Sequence, residues 1–202
     1  MFNRTDIVDA QLPGVVVSDI VPLPSNGLRA DFAIDSDIKA LKNAEQYKNY
    51  VVLLIPNYST RNNKNEVVLV GIVAKIILNM TSPNGTRRVK FQTIVRCKIN
   101  SIDNTSGSCL VDFVTLPSTS SDTMKNDATY DLIKKFLTEN NIDSVLKKDG
   151  ININNTELSY DEISDILVHN LDLNRDTKLR YLLEDNVTTR LTYLLEDLYK
   201  EQ

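Results

Sequence analysis

VVLVGIVAKIILNMTSPNGTRRVKFQTIVRCKI, residues 67–99, decides the architecture of the first half of the chain. Two apolar-rich arms, Val67 to Leu78 and Arg88 to Ile99, flank Ser82-Pro83-Asn84-Gly85-Thr86. The Asn-Gly pair favours the positive φ angles of a tight turn, so the arms are predicted to pair antiparallel as a hairpin. In the second arm Val89, Phe91, Val95, Cys97 and Ile99 alternate with Lys90, Gln92, Arg96 and Lys98. That alternation turns one face inward and the other to water. Gly71 reads as a point of close packing and Gly85 as turn chemistry, neither as a phosphate loop.

Outward from the hairpin, Val51-Val52-Leu53-Leu54-Ile55 is a compact apolar run ended by Pro56, the pattern of a strand buried on both faces. A polar loop, Asn57 to Asn65, follows it. Upstream, Val15-Val16-Val17 opens the β-structure, and Pro22-Leu23-Pro24-Ser25-Asn26-Gly27 forms a Pro-rich turn. Asp35-Ser36-Asp37 then caps a short helix carrying Ile38, Leu41 and Ala44. Downstream, Cys109 to Val114 adds a strand. Several short strands, a hairpin and one small helix imply a closed or nearly closed barrel, which protects sheet edges.

Thr115 to Asp127, rich in Pro, Ser, Thr and Asp, has almost nothing to bury and separates two periodicities. The domain boundaries are set accordingly: a β domain over 1–117, a linker over 118–127 and a helical subdomain over 128–202. Leu132, Ile133, Phe136 and Leu137 fall at helical spacing, and Ile142, Val145 and Leu146 form a further apolar group. Ser159-Tyr160-Asp161-Glu162 has the form of a capping box ahead of Ile163, Ile166 and Leu167. Leu179, Leu183, Val187, Leu191, Leu195 and Leu198 make one stripe with no Gly or Pro stop, read as a single long helix running nearly to Gln202. The fold class is α+β, a β pseudo-barrel with a short helix, then a helical bundle subdomain ending in a long helix.

With 202 residues, 42% hydrophobic and 25% charged, the chain can bury cores. A net charge of −4 and a pI near 5.1 disfavour nucleic acid, which needs clustered Lys and Arg. The longest apolar stretch, Val67 to Met80, is interrupted by Lys75 and Asn79 and falls short of the ~20 residues that span a bilayer, so no membrane is implied. Met1-Phe2-Asn3-Arg4-Thr5-Asp6 lacks the apolar core of a secretory signal, which points to the cytoplasm. Asn-x-Ser/Thr triplets at Asn57, Asn84 and Asn186 are then accidents of an Asn-rich composition. Cys97 and Cys109 read as structural thiols, and His169, the one histidine, reads as a surface or helix-end residue, so no metal site is expected. No spacing singles out a catalytic set and no Gly-x-x-x-x-Gly-Lys-Ser/Thr loop occurs, so neither a catalytic residue nor a cofactor is assigned to this chain.

Two separated regions resemble the N-terminal substrate-recognition domain of Lon ATP-dependent proteases. In the first, Leu12-Pro13, Asp19, Pro24 and Ile38-Lys39-Ala40-Leu41 resemble the family's opening strand, Pro-bearing loop and first helix. Val70-Gly71-Ile72-Val73-Ala74-Lys75-Ile76 is similar to its Val-Gly-x-Val-Ala-x-Ile strand, and Pro83-Asn84-Gly85-Thr86 with the strand through Val95 and Ile99 to its Pro-Asp-Gly-Thr hairpin. In the second, Leu158 to Leu173 resembles the helix after the barrel. Thr177-Lys178-Leu179-Arg180-Tyr181-Leu182-Leu183-Glu184 resembles a Glu-Lys-Gln-x-Leu-Leu-Glu segment, continued by Val187, Arg190 and Leu191. Val16-Val17-Ser18 and Leu23-Pro24-Ser25 depart from the family's Pro-Leu-Arg and Phe-Pro-Gly, which points to a specialised loop surface.

The resemblance implies a PUA-like barrel plus helical bundle, placed in a hexameric parent ahead of an AAA+ module, with ATP and Mg, and a Ser-Lys peptidase. The implied role is binding of unfolded or degron-tagged proteins, without catalysis by this chain. Pro22, Leu23, Pro24 and Leu28, in a predicted loop, and Met80 and Pro83, at the hairpin tip, are apolar where loops are normally polar. They either cap the barrel or form the substrate-binding patch. A free-standing Lon-domain adaptor or small-ligand-binding protein is the alternative reading. A third, nucleic-acid binding through the barrel, is disfavoured by charge.

Overall fold

The computed structural model describes residues 11–58, 66–117, 131–132, 135, 138–139 and 159–200. Outside them lie residues 59–65 of the polar loop, the expected linker 118–127, and Ile133, Phe136, Leu137, Ile142, Val145 and Leu146. The chain divides into two compact units, Met1–Pro117 and Ser118–Gln202.

The first unit holds strands β1 (Gln11–Val16), β2 (Gly27–Phe32), β3 (Tyr50–Leu54), β4 (Val70–Thr81), β5 (Arg87–Asp103) and β6 (Leu110–Leu116). Helix α1 (Asp35–Asn43) and a 3-10 turn, Ala44–Tyr47, fall between β2 and β3. The strand order is β2-β5-β4-β3-β1-β6, and β6 pairs again with β5, so five strands close into a barrel. Closure brings Leu12, Val52, Leu54, Val73, Val95, Cys97, Val111 and Phe113 into one core. The β1–β3 pair is parallel and the other pairs are antiparallel. Strand β3 is buried at all five positions, as its uninterrupted apolar run predicts.

The hairpin forms as predicted, with Gly85 at φ 85° in its turn. Gly71 sits where β4 meets β3: a Cβ there would lie 2.9 Å from the Leu53 carbonyl oxygen. Strand β2 is a departure from the sequence reading. Leu28, placed there in a loop, pairs with Phe91 in the sheet. Arg96, read as outward, is buried, because β5 at this point is flanked by both β4 and β6, with Ile72 and Leu116 opposite it. Helix α1 starts at Asp35 with no side-chain cap, and the Asp37 carboxylate instead accepts the Val16 N–H at 3.2 Å.

In the second unit α2 spans Tyr160–Asn170, α3 Arg175–Leu183 and α4 Val187–Lys200. The Glu162 carboxylate accepts the Ser159 N–H at 2.9 Å, the glutamate's half of the predicted capping box. The single long helix expected over the Leu stripe is two helices. Residues 184–186 interrupt it, with Glu184 accepting the Asn186 N–H and Asn186 Oδ1 accepting the Thr189 N–H at 3.1 Å. An Asx cap thus starts α4 without Gly or Pro. Val187, Arg190, Leu191 and Leu194 are its buried face, at helical spacing, whereas Leu183 is 51% exposed. No helix among the described residues is long and apolar enough to cross a membrane.

Arg190 is fully buried, its guanidinium 3.3 Å from Asp165 of α2. Removing one member takes from the other, a buried charge, the opposite charge of this pair. Arg190→Met is therefore expected to lower unfolding free energy by about 3–5 kcal/mol in urea titrations, and Arg190→Met with Asp165→Leu to recover most of it.

Candidate functional site

The strand pairing that builds the barrel also sets out an exposed face. A register shift between Ile76 and Leu78 moves Leu78 opposite Lys90 and Met80 opposite Arg88. Across β5, Lys90 lies opposite Arg29 and Arg88 opposite Asp31. Residues opposite one another share a face, so Leu78 and Met80 lie beside Arg29, Asp31, Arg88 and Lys90. Ile77, Leu78 and Met80 are each about half exposed, at 49%, 48% and 47%.

This face opens into a cleft of about 650 Å³ between residues 16–20 and the segment from Arg29 to Ile34, with Asp37 and Arg88 completing its walls. Ile20 and Ile34 are exposed apolar residues of its lining. Arg88 donates from Nε and Nη2 to both Asp31 oxygens at 3.0 Å, and this hydrogen bonding holds the Asp31 carboxyl below its usual range. Burial raises Asp37, only partly offset by the Val16 N–H. The cleft offers apolar contact and a paired ionic group, which suits an amphipathic chain segment.

The six residues singled out in the sequence divide. Met80 and Pro83 are exposed on the hairpin. Pro22, Leu23, Pro24 and Leu28 are buried, and their expected exposure is corrected to a place in the barrel's packing. The cause is a polar clasp: Thr93 Oγ1 accepts the Asn26 N–H at 2.9 Å and donates to the Leu23 carbonyl at 2.6 Å, while Asn26 Nδ2 donates to the Pro24 carbonyl at 2.7 Å. The turn's own carbonyls are satisfied inside, so its apolar side chains can go in with them. Ile20, Ile34, Ile77 and Leu78 escaped the sequence reading. A continuous apolar run does not say which side faces out, and the register shift has no local signature.

Burial pushes Cys97 up to about 12, and burial followed by the Asp37 charge pushes Cys109 up to about 11. Both are poor nucleophiles at neutral pH. His169, in the last turn of α2, is held below its usual value by burial and then by Lys178, whose Nζ donates to the His169 carbonyl at 3.1 Å. Among the described residues no group of three His, Cys, Asp or Glu side chains converges to hold a metal.

Leu23→Ala and Leu28→Ala are each expected to cost about 2–5 kcal/mol in urea unfolding, and Met80→Ser under about 0.5 kcal/mol. With dithionitrobenzoate at pH 8, both native thiols are expected to react at least about tenfold more slowly than in the unfolded chain, because the thiolate is the reactive form. Fast native reaction of Cys97 would contradict its placement in the core.

Residues 11–200 match the family model described as the ATP-dependent protease La (LON) substrate-binding domain. The Lon protease of Aster yellows witches'-broom phytoplasma (strain AYWB) is 26% identical over 185 residues, which cover 89% of this chain and 23% of that protein. The chain thus spans about a quarter of that relative's length. The N-terminal domain of Mycobacterium avium complex Lon protease has the same fold, with a TM-score of 0.73, 16% identity and coverage of 95% of this chain and 100% of that one. The Lon N-terminal domain protein from Xanthomonas campestris superposes with a TM-score of 0.67 at 13% identity, covering 92% and 97%. This chain belongs to the LON substrate-binding domain family.

Proposed function

We propose that the chain captures unfolded or degron-bearing protein segments for a Lon-type ATP-dependent protease, binding them without cutting them. The observation that carries this reading is the set of exposed Ile20 and Ile34 in the cleft and Leu78 and Met80 on the strand face beside it. An unfolded chain offers apolar side chains that a folded one hides, and a patch of half-exposed aliphatic groups recognises them with little demand on sequence. Family membership supports the same role.

In the proposed setting the parent is a cytoplasmic hexamer with ATP- and Mg-dependent unfolding and a Ser-Lys peptidase. Several copies of a weak site then raise the effective concentration around one substrate, so capture needs no single tight contact. The ATPase ring draws the held segment inward.

The test is binding of reduced, carboxymethylated α-lactalbumin to the chain and to the double variant Leu78→Ser with Met80→Ser. Loss of two half-exposed aliphatic contacts is expected to weaken binding about five- to thirtyfold, the equivalent of about 1–2 kcal/mol, with the melting temperature unchanged. Wild-type affinity in that variant, and in Ile20→Ser with Ile34→Ser, would reject the barrel surface as the capture site.

A further inference from the structure

The Leu stripe read from the sequence does not go wholly into a core. Leu179 and Leu183 of α3, with Tyr193 of α4, line a groove of about 400 Å³ within the helical unit, and Leu183 is 51% exposed. Asp176, Arg180 and Glu184 complete its lining. The lone cation there is already engaged: Arg180 Nη2 lies 2.6 Å from Asp197, and its guanidinium sits 4.3 Å above the Tyr193 ring. Among the described residues neither Asp176 nor Glu184 forms an ion pair with a side chain.

Asp176, Leu179, Arg180 and Leu183 recur at three- to four-residue steps, so they lie on one face of α3, and Glu184 follows at its C-terminal cap. Asp176 and Glu184 stand at its two ends, about 12 Å apart at the helical rise of about 1.5 Å per residue. The groove therefore has an aliphatic and aromatic floor between two carboxylates that pair with no side-chain cation among the described residues, Glu184 accepting only the Asn186 N–H in this structure. An acidic or purely apolar occupant would leave those charges repelled or facing an apolar surface. Cationic groups on either side of an apolar anchor would meet them.

We propose that the α3–α4 groove is a second peptide-binding site, selecting segments in which an apolar anchor is flanked by Lys or Arg. It is separate from the barrel cleft and does not depend on the reading given for that surface. Its consequence is selectivity: the helical unit favours apolar segments with basic flanks.

The test uses the 202-residue chain and two fluorescein-labelled peptides that share a Leu-Phe-Leu core, one flanked by two Lys on each side and the other by two Glu. In anisotropy titrations the Lys-flanked peptide is expected to bind about tenfold more tightly, with the margin shrinking as salt is added. Asp176→Asn with Glu184→Gln, which keeps side-chain shape, should level the two affinities. Asp176→Lys with Glu184→Lys should invert them, and Leu183→Ser should weaken the Lys-flanked peptide at least about fivefold. Leu78→Ser with Met80→Ser on the barrel should leave the preference intact, so failure of one site is read separately from failure of the other. Equal binding of the two peptides, a preference that survives the neutralising pair, or self-association of the wild-type chain that Leu183→Ser abolishes would each overturn the proposal.

Discussion

Strand β5 must satisfy three neighbours at once, and the rest of the barrel is arranged around that requirement. Its first part, to Gln92, pairs with β2; β4 lies along it as far as Lys98; and its last part, from Arg96, pairs with β6. A straight ribbon of 17 residues would run about 55 Å and meet only two partners. Irregularities between Val73 and Ala74, Ile76 and Leu78, and Ile99 and Ser101 bend the hairpin, so that its far end returns to β6. With β6 also joined to β1, and β1 to β3, the ring closes. Strand β2 is left outside the ring as an edge, and the cleft opens beside it. The candidate surface is thus what closure leaves over.

What could be read from the sequence is what neighbouring residues decide. The Asn84-Gly85 turn, the buried run of β3 and the start of α2 at Ser159 each rest on turn chemistry, periodicity or capping within a few positions, and each appears in the structure. Long-range contacts decide the rest. Leu23 is buried because Thr93, 70 residues away, holds its carbonyl, and nothing near Leu23 announces that bond. Strand β2 carries Arg29 and Asp31 among its six residues and reads as loop until β5 is placed beside it. The break at 184–186 did have a local sign, since Asn186 is a strong N-cap residue, but the regular Leu spacing outweighed it.

The same distinction explains why the candidate site was only half visible. An apolar residue in a loop and an apolar residue on a strand give no separate signals of exposure. Pro22, Leu23 and Pro24 turned inward once their polar backbone was matched by Asn26 and Thr93. Leu78 and Met80 turned outward once the register shifted by one residue, because a one-residue slip exchanges the two faces of a strand. The exposure of Met80 and Pro83 was legible in the sequence because they flank a recognisable turn, where exposure follows from the turn itself.

Two of the Arg–Asp pairs among the described residues show how burial assigns different work to the same chemistry. Arg190 and Asp165 are out of water, so their separation would leave costly charges inside, and the pair fixes α4 against α2. Arg88 and Asp31 make a better-formed bidentate contact, yet their side chains are 60% and 50% exposed, and solvent screens them. Such a pair contributes little to the fold. It keeps the cleft wall electrically balanced when nothing is bound, and it can open at small cost to let either partner turn to an incoming polar group. The proposed capture of many unfolded sequences would be served by that arrangement: aliphatic groups would supply the attraction, and the ionic pair would avoid rejecting a segment for the sign of its charge.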